Sequence, residues 1–295
     1  MPLKGQGFLL WQAAKDDGLM KKLYFECSAG VSGDMTVAAL LDLGADEEKL
    51  LEALKSLPLD GYSICISRVK KSGLDACDFN AILDEVHENH DHDMQYLHGS
   101  GEEHASSHHH EHHDHGGHHE HHHRGPQEVY EIIDKSSIGN GAKTIAKRVF
   151  EVIAGAEAKA HGVPLSEVHF HEVGAVDSIV DVVAAAVCLD DLGISDVIAS
   201  PLAEGYGTVR CQHGIIPVPV PAVANIAAEH GLILRSINVE GELVTPTGAA
   251  IMAAAAKQEP LPENYRILRV GLGAGKRDYP TSGVVRAMII EPADL

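Results

Sequence analysis

Basic residues are scarce in this chain of 295 residues: 23 Lys and Arg stand against 43 Asp and Glu, a formal net charge of −20. A chain so acidic has no basic face to offer nucleic acid or an anionic membrane, and both are excluded as partners. Aromatics are few, 4% of the residues with a single Trp, so a core has to be built from Ala, Val, Ile and Leu. Cysteine is sparse and odd in number: Cys27, Cys65, Cys77, Cys188 and Cys211 are scattered and include no CxxC. That is no disulfide framework, and it fits a reducing, cytoplasmic setting. No apolar run approaches the ~18 residues of a membrane span. Phe8–Trp11 is too short for a secretory signal.

What the chain has in excess is histidine, 21 residues, of which sixteen lie between His87 and His123. Residues 84–123 also hold ten Asp or Glu and no Lys or Arg, which leaves 33 acidic against 23 basic residues elsewhere. The 44% hydrophobic content is enough to bury a core, so wholesale disorder is excluded. The stretch 84–125 is the exception: with almost no apolar residues it is expected to be a disordered, acidic, metal-binding loop. Imidazole binds Ni, Zn and Cu, and His108, His109, His110, His112, His113, His115, His118, His119, His121, His122 and His123 make a flexible chelator suited to metal capture. The alternative is a solvated acidic linker.

The chain divides around that stretch. Residues 1–19 read as an extension outside the fold, with Met20 as the expected natural start. Residues 20–83 read as an N-terminal α/β unit: a strand at Leu23–Phe25, helices over Met35–Leu43 (ended by Gly44) and Asp46–Leu57, and strands at 62–69 and 74–83. Residues 126–295 read as the main α/β domain. Pro126 suits a helix start, and Gly141–His161 has helical spacing. Strands are expected at Val168–His171, Val197–Ser200, Leu232–Ile237, Arg266–Val270 and Val284–Ile290. Helices are expected at 177–192, Pro221–His230 and Thr247–Lys257. Pro217–Pro221 has to be extended and cannot be a central strand. The fold class is α/β or mixed α+β, alternating strands and helices.

Chemistry concentrates in a few places. On a strand, His169 and His171 share one face, a good start for a transition-metal site, and Glu172 follows. Asp177 and Asp181, spaced i, i+4, share one face of the next helix. The plainer reading is a polar strand end and an N-cap Asp. Cys211 and His213 pair a thiolate with an imidazole, a combination for Zn, Ni or Cu, or are a buried hydrophobe and a surface residue. In Gly271–Asp278, Gly273 and Gly275 allow close backbone approach, and Lys276 and Arg277 can neutralise a phosphate; Gly-rich turns are also common for no such reason. Ser32-Gly33-Asp34 and Thr245–Gly248 each precede a helix, where free N–H groups favour an anion, though capping alone explains them.

Taken in order, LYFECSAGVSGD (Leu23–Asp34), VHFHEVGAVDSIVD (Val168–Asp181), GYGTVRCQHGIIPVPVP (Gly205–Pro221), GELVTPTGAA (Gly241–Ala250) and GLGAGKRD (Gly271–Asp278) resemble the LarC family of nickel-insertion proteins. An internal His-rich insertion is also familiar there. The resemblance implies a CTP-dependent nickelochelatase, a lyase of cofactor biosynthesis. It would insert Ni(2+) into pyridinium-3,5-bisthiocarboxylic acid mononucleotide and complete the nickel-pincer nucleotide of lactate racemase. Mn(2+) or Mg(2+) would act with CTP as co-substrate. On this resemblance His169, His171, Cys211 and His213 hold nickel, Glu172 is the base for the ring proton, Asp177 and Asp181 hold Mg or Mn, and Gly273, Gly275, Lys276 and Arg277 take the substrate phosphate. Family members continue into a further C-terminal domain, so this chain is expected to be the first part, with that domain or a second polypeptide as partner, beside proteins of the lactate racemase pathway. Self-association stays open. Two other classes also stay open: a nickel store or metallochaperone needing only the His-rich loop, and a metal-dependent hydrolase using the same His, Glu and Asp residues.

Overall fold

The structure is a computed structural model and describes residues 21–84, 124–170, 174–211 and 214–293. Along the chain come β1 (Lys22–Glu26), α1 (Gly33–Leu43), α2 (Glu47–Lys55), β2 (Tyr62–Lys71) and β3 (Leu74–Leu83). Next are α3 (Pro126–Lys135), α4 (Asn140–His161), a 3-10 turn at Leu165–Glu167, α5 (Val176–Leu192), β4 (Val197–Ala199), β5 (Leu202–Tyr206), β6 (Thr208–Cys211) and β7 (Gly214–Pro217). The remainder is α6 (Pro221–His230), β8 (Leu234–Glu240), α7 (Pro246–Ala255), β9 (Tyr265–Ala274) and β10 (Val284–Pro292). The expected mixture of strands and helices is borne out. The expectations for 1–19 and for disorder in the His-rich stretch fall on residues outside those described.

Six strands form one mixed sheet in the order β2-β3-β9-β10-β1-β4. The β2–β3, β9–β10 and β10–β1 pairs are antiparallel, while β3–β9 and β1–β4 are parallel. Strands from before residue 84 and after residue 197 are therefore interleaved in one sheet. Leu23 and Phe25 of β1 are fully buried, as alternation requires. α1 packs across β9, β3 and β10, and α5 packs on α1 from the other side. Sandwiched this way, α1 is buried at Met35, Thr36, Val37, Ala38, Ala39, Leu40 and Leu43. α5 is buried along nearly its whole length, which is why its sequence is apolar on every side. α4, α6 and α7 pack together beyond it. Among the described residues no helix is long and apolar enough to cross a membrane.

The helix ends fall where glycine placed them: Gly44, Gly162, Gly193 and Gly231 each adopt a left-handed conformation after α1, α4, α5 and α6. Three expectations need correction. The strand expected at Arg266–Val270 runs on to Ala274, so Gly271 and Gly273 belong to β9, where they lie against the backbone of α1. The strand expected at Leu232–Ile237 is shifted to Leu234–Glu240, pairing in parallel with β5. In the expected strand at Val168–His171, Phe170 makes a bridge with Arg124, and His171 lies outside the described residues. Residues 202–217, left without regular structure by the sequence reading apart from the extended proline run, hold β5 and the β6–β7 hairpin.

The glycines of β9 set how closely α1 can approach the sheet. A methyl group on Gly273 would overlap the Met35 carbonyl oxygen and the Ala39 nitrogen, both backbone atoms that cannot swing aside. Gly155, inside α4, has nothing within 4 Å of the same position. Gly273→Ala is therefore expected to cost about 1–3 kcal/mol or more through overpacking. Gly155→Ala is expected to gain about 0.5–1 kcal/mol by helix propensity. Urea unfolding midpoints of the two variants against the parent check both signs.

Candidate functional site

Three helices begin at one place. The N-termini of α1 (Ser32, Gly33, Asp34), α5 (Asp177, Ser178) and α7 (Thr245, Pro246, Thr247) line a cavity of about 270 Å³, together with Asp181, Asn80 and Ala81 of β3, Glu242, and Lys276 and Arg277 after β9. Each terminus is shaped locally. Ser32 is extended, and its hydroxyl donates to Asp34 Oδ1, which also accepts from the Met35 N–H at 2.8 Å. The Thr245 hydroxyl accepts from the Gly248 N–H at 3.1 Å, and Pro246 supplies the fixed φ of a first helical turn. Gly33 brings α1 onto α5: a methyl there would fall 2.7 Å from an Asp181 carboxylate oxygen. Gly248 similarly brings α7 against the Val31 backbone.

The electrostatics of the cavity are divided. The helix dipoles at three N-termini favour an anion, and two cations stand with them. Lys276 is paired with Asp78. Arg277 is held at 3.1 Å from Glu242, with desolvation by burial opposed by the Glu242 charge, so it stays protonated. Against these, burial pushes the Asp181 carboxyl well above the usual carboxylate range, reinforced by the charges of Asp34 and Asp177 and opposed by Lys276 and the Asp34 N–H. Burial raises Asp34 as well, against its hydrogen bond from Ser32 and the charge of Lys276. Buried carboxylates that repel one another are relieved by a proton or by a metal cation. Their hard oxygen donors suit Mg or Mn, especially where a phosphate oxygen completes the coordination. Among the described residues no three His, Cys, Asp or Glu side chains converge to hold a metal ion alone.

The structure brings together four residues singled out from sequence, Asp177, Asp181, Lys276 and Arg277, and adds Ser32, Asp34, Thr245 and Thr247 from the two candidate anion-binding helix starts. Gly275 lines an adjoining chamber, whereas Gly273 is committed to the packing of α1. His169 is exposed between buried Val168 and Phe170, Cys211 is half-buried at the end of β6, and neither lines the cavity. His171, Glu172, His213 and the histidines from His87 to His123 lie outside the described residues. Asn80, Glu242 and the buried Glu204 were not anticipated; each is a lone polar residue whose role appears only when distant segments meet.

The sequence profile of the family described as "Nickel insertion protein" matches residues 23–294. The chain belongs to the nickel insertion protein family. The resemblance read from the five segments is thus borne out. It is 54% identical, over 92% of its length and 61% of the relative's, to the pyridinium-3,5-bisthiocarboxylic acid mononucleotide nickel insertion protein of Alkaliphilus metalliredigens. It is 40% identical, over 92% of its length and 60% of the relative's, to the protein of that name from Geobacillus kaustophilus. A putative nickel insertion protein of Geobacter sp. strain M21 is 41% identical over 93% of this chain and 63% of its own. The chain thus spans roughly three-fifths of the length of these curated relatives. No solved structure matches it.

In this nickel-insertion fold the cavity wall at Glu242 is fixed from behind by Glu204 on β5. Glu204 is 1% exposed, and its Oε1 accepts from the N–H groups of Gly205 (2.8 Å), Leu243 (2.8 Å) and Val244 (3.3 Å). Its Oε2 has no hydrogen-bond partner among the described residues. Burial outweighs the three donors and raises the carboxyl above its usual range. The folded protein then binds this proton more tightly than the unfolded chain, so the contribution to stability is fully present at low pH and is lost as pH rises through the raised value. Glu204→Gln keeps the accepting oxygen and is expected to flatten that slope in urea midpoints measured between pH 4 and 8. Glu204→Ala, which strands three buried N–H groups, is expected to lose about 2–5 kcal/mol throughout.

Proposed function

We propose that this chain carries out the nickel-insertion step on pyridinium-3,5-bisthiocarboxylic acid mononucleotide, as a CTP-dependent nickelochelatase of the lyase class serving the nickel-pincer cofactor of lactate racemase. It would work in the cytoplasm with the remaining part of the family's length, in the same polypeptide or a second one. The observation that carries the reading is the convergence of three helix N-termini, Lys276 and Arg277 on the chamber that holds Asp34, Asp177 and Asp181. Such a chamber suits a phosphate accompanied by a divalent cation, and the relatives' names specify a mononucleotide.

In this reading the N–H groups of α1, α5 and α7 and the two cations hold the phosphate, and Lys276 stays placed by Asp78. Asp177 and Asp181 would hold Mn(2+) or Mg(2+) together with a phosphate oxygen, and the cation when bound would neutralise phosphate charge. Nickel is the cargo. His169 and His171, with Cys211 and His213, are assigned to hold it with positions open for the two sulfurs of the substrate. When the Ni–C bond forms, the electron pair of the ring C–H bond passes to nickel and the proton to Glu172, the assigned base. Arg124 follows His123 directly in sequence and pairs with Phe170, so the chain leaving the His-rich stretch runs beside His169. That adjacency supports capture by the histidines followed by transfer. It also supports, as a second reading, a store or chaperone that needs the histidines alone.

The test is a nickel-transfer assay with nickel, CTP, manganese and the bisthiocarboxylate nucleotide, with and without the polypeptide that completes the relatives' length, read by activation of apo lactate racemase. Asp181→Asn is expected to lower transfer by about 100-fold or more, the scale of losing a positioned catalytic group. Its urea midpoint should hold or rise, because a buried, repelled charge is removed. Transfer unchanged in Asp181→Asn would overturn the reading. Deleting residues 87–123 is expected to leave transfer intact at plentiful nickel; a store would lose its function.

A further inference from the structure

Asp34, Glu242 and Lys276 stand between two chambers. Behind them lies a second cavity, of about 170 Å³, which shares Ser32, Thr245 and Arg277 with the first as well. Its own walls differ in kind: Met35, Leu243 and Tyr279 line it, and Gly275 and Gly283 close it with backbone. Tyr279 is the only aromatic among the described residues that line either chamber.

We infer that this second chamber seats a planar heteroaromatic ring, so that the two chambers together take one mononucleotide, its phosphate among the helix N-termini and its ring against Tyr279. The inference rests on the reading of the first chamber as a phosphate site. The aromatic wall is built in advance. Gly241 has φ +121° and no side chain, and a methyl there would fall 2.8 Å from both Cε1 and the hydroxyl of Tyr279, so the ring edge occupies the space that glycine vacates. The Tyr279 hydroxyl is 3.5 Å from an Arg277 nitrogen, which is itself held by Glu242. On the other walls Met35 and Leu243 are both 6% exposed. The Met35 sulfur lies where a methyl on Gly275 would come within 2.9 Å, leaving a polarisable thioether suited to an aromatic edge. The floor is tied by the Gly275 N–H donating to the Gly283 carbonyl at 2.9 Å. Between the chambers Ser32, Asp34 and Thr245 offer hydroxyls and a carboxylate to a ribose. A ring on a ribose phosphate can come from a pyridinium mononucleotide or from a cytidine nucleotide. The Asp34 and Glu242 carboxylates there are offset by Lys276 and Arg277, and it is the face of Tyr279 that favours the cationic pyridinium.

Titration calorimetry of the full 295-residue chain with three probes separates the possibilities: nicotinic acid mononucleotide, cytidine monophosphate and ribose 5-phosphate, which has no ring. The pyridinium probe is expected to bind about tenfold more tightly than ribose 5-phosphate, the scale of one base–aromatic stack. Tyr279→Ala should remove that advantage and leave ribose 5-phosphate unaffected, Tyr279→Phe should keep it, and Lys276→Ala should weaken all three probes. A Tyr279-dependent advantage seen only with cytidine monophosphate would support the ring chamber and overturn its assignment to pyridinium. Equal binding of ribose 5-phosphate and both ring probes, or equal weakening of all by Tyr279→Ala, would overturn the ring chamber while leaving the phosphate site standing. No binding by any probe would overturn the phosphate reading beneath it as well.

Discussion

Everything in this molecule is arranged around the burial of α1 between the sheet and α5. A helix can enter that slot only if it is nearly free of charge and if its neighbours give up side chains, and both conditions are met. α1 carries Val, Ala and Leu along its length, and Gly271 and Gly273 of β9 remove the atoms that would push it away. The depth of that seating fixes where the helix begins. Because Gly33 and Gly248 let α5 and α7 close on the same point, the seating also brings three helix N-termini together. The chamber is thus a by-product of packing, made possible at four glycines.

Its contents pull against one another. Asp34, in the first turn of α1, and Asp181, in the second turn of α5, stand half-buried side by side, and Lys276 compensates them only in part. Their mutual repulsion is eased when a proton or a cation joins them. The Glu204 clamp and the Arg277–Glu242 pair hold the far wall in place.

Much of the scaffold was legible in the sequence because its signals are local. Glycines after α1, α5 and α6 mark helix ends, and β1 alternates plainly. The span from Leu202 to Pro217 was not legible, since β5 is buried on both faces, includes a charged residue, and has no alternation to read. The site was half legible. Asp177 and Asp181 stand out by their spacing, and Lys276 and Arg277 by their charge. Ser32-Gly33-Asp34 and Thr245–Thr247 could be seen as helix starts, but that they meet is a fact of tertiary packing. Glu204, Glu242 and Tyr279 carry no local mark at all. The glycines of β9 show the reverse: in a Gly-rich run whose spacing suggests backbone approach to a phosphate, the first members are strand residues that admit a helix.

The strand order has a consequence for how the protein is made. β1 is flanked in the sheet by β4 and by β10, both far later in the chain, and Lys22 finds its partner at Ile290. Lys276 and Arg277 likewise follow α1 by more than two hundred residues. The nascent chain therefore carries an apolar strand and an apolar helix until β9 and β10 have been made and can cover them. Non-local pairing of this kind folds slowly and exposes sticky surface while it waits. Expression of this protein should accordingly depend on chaperone supply and on growth temperature more than its native packing suggests, with site and sheet becoming complete in the same late event.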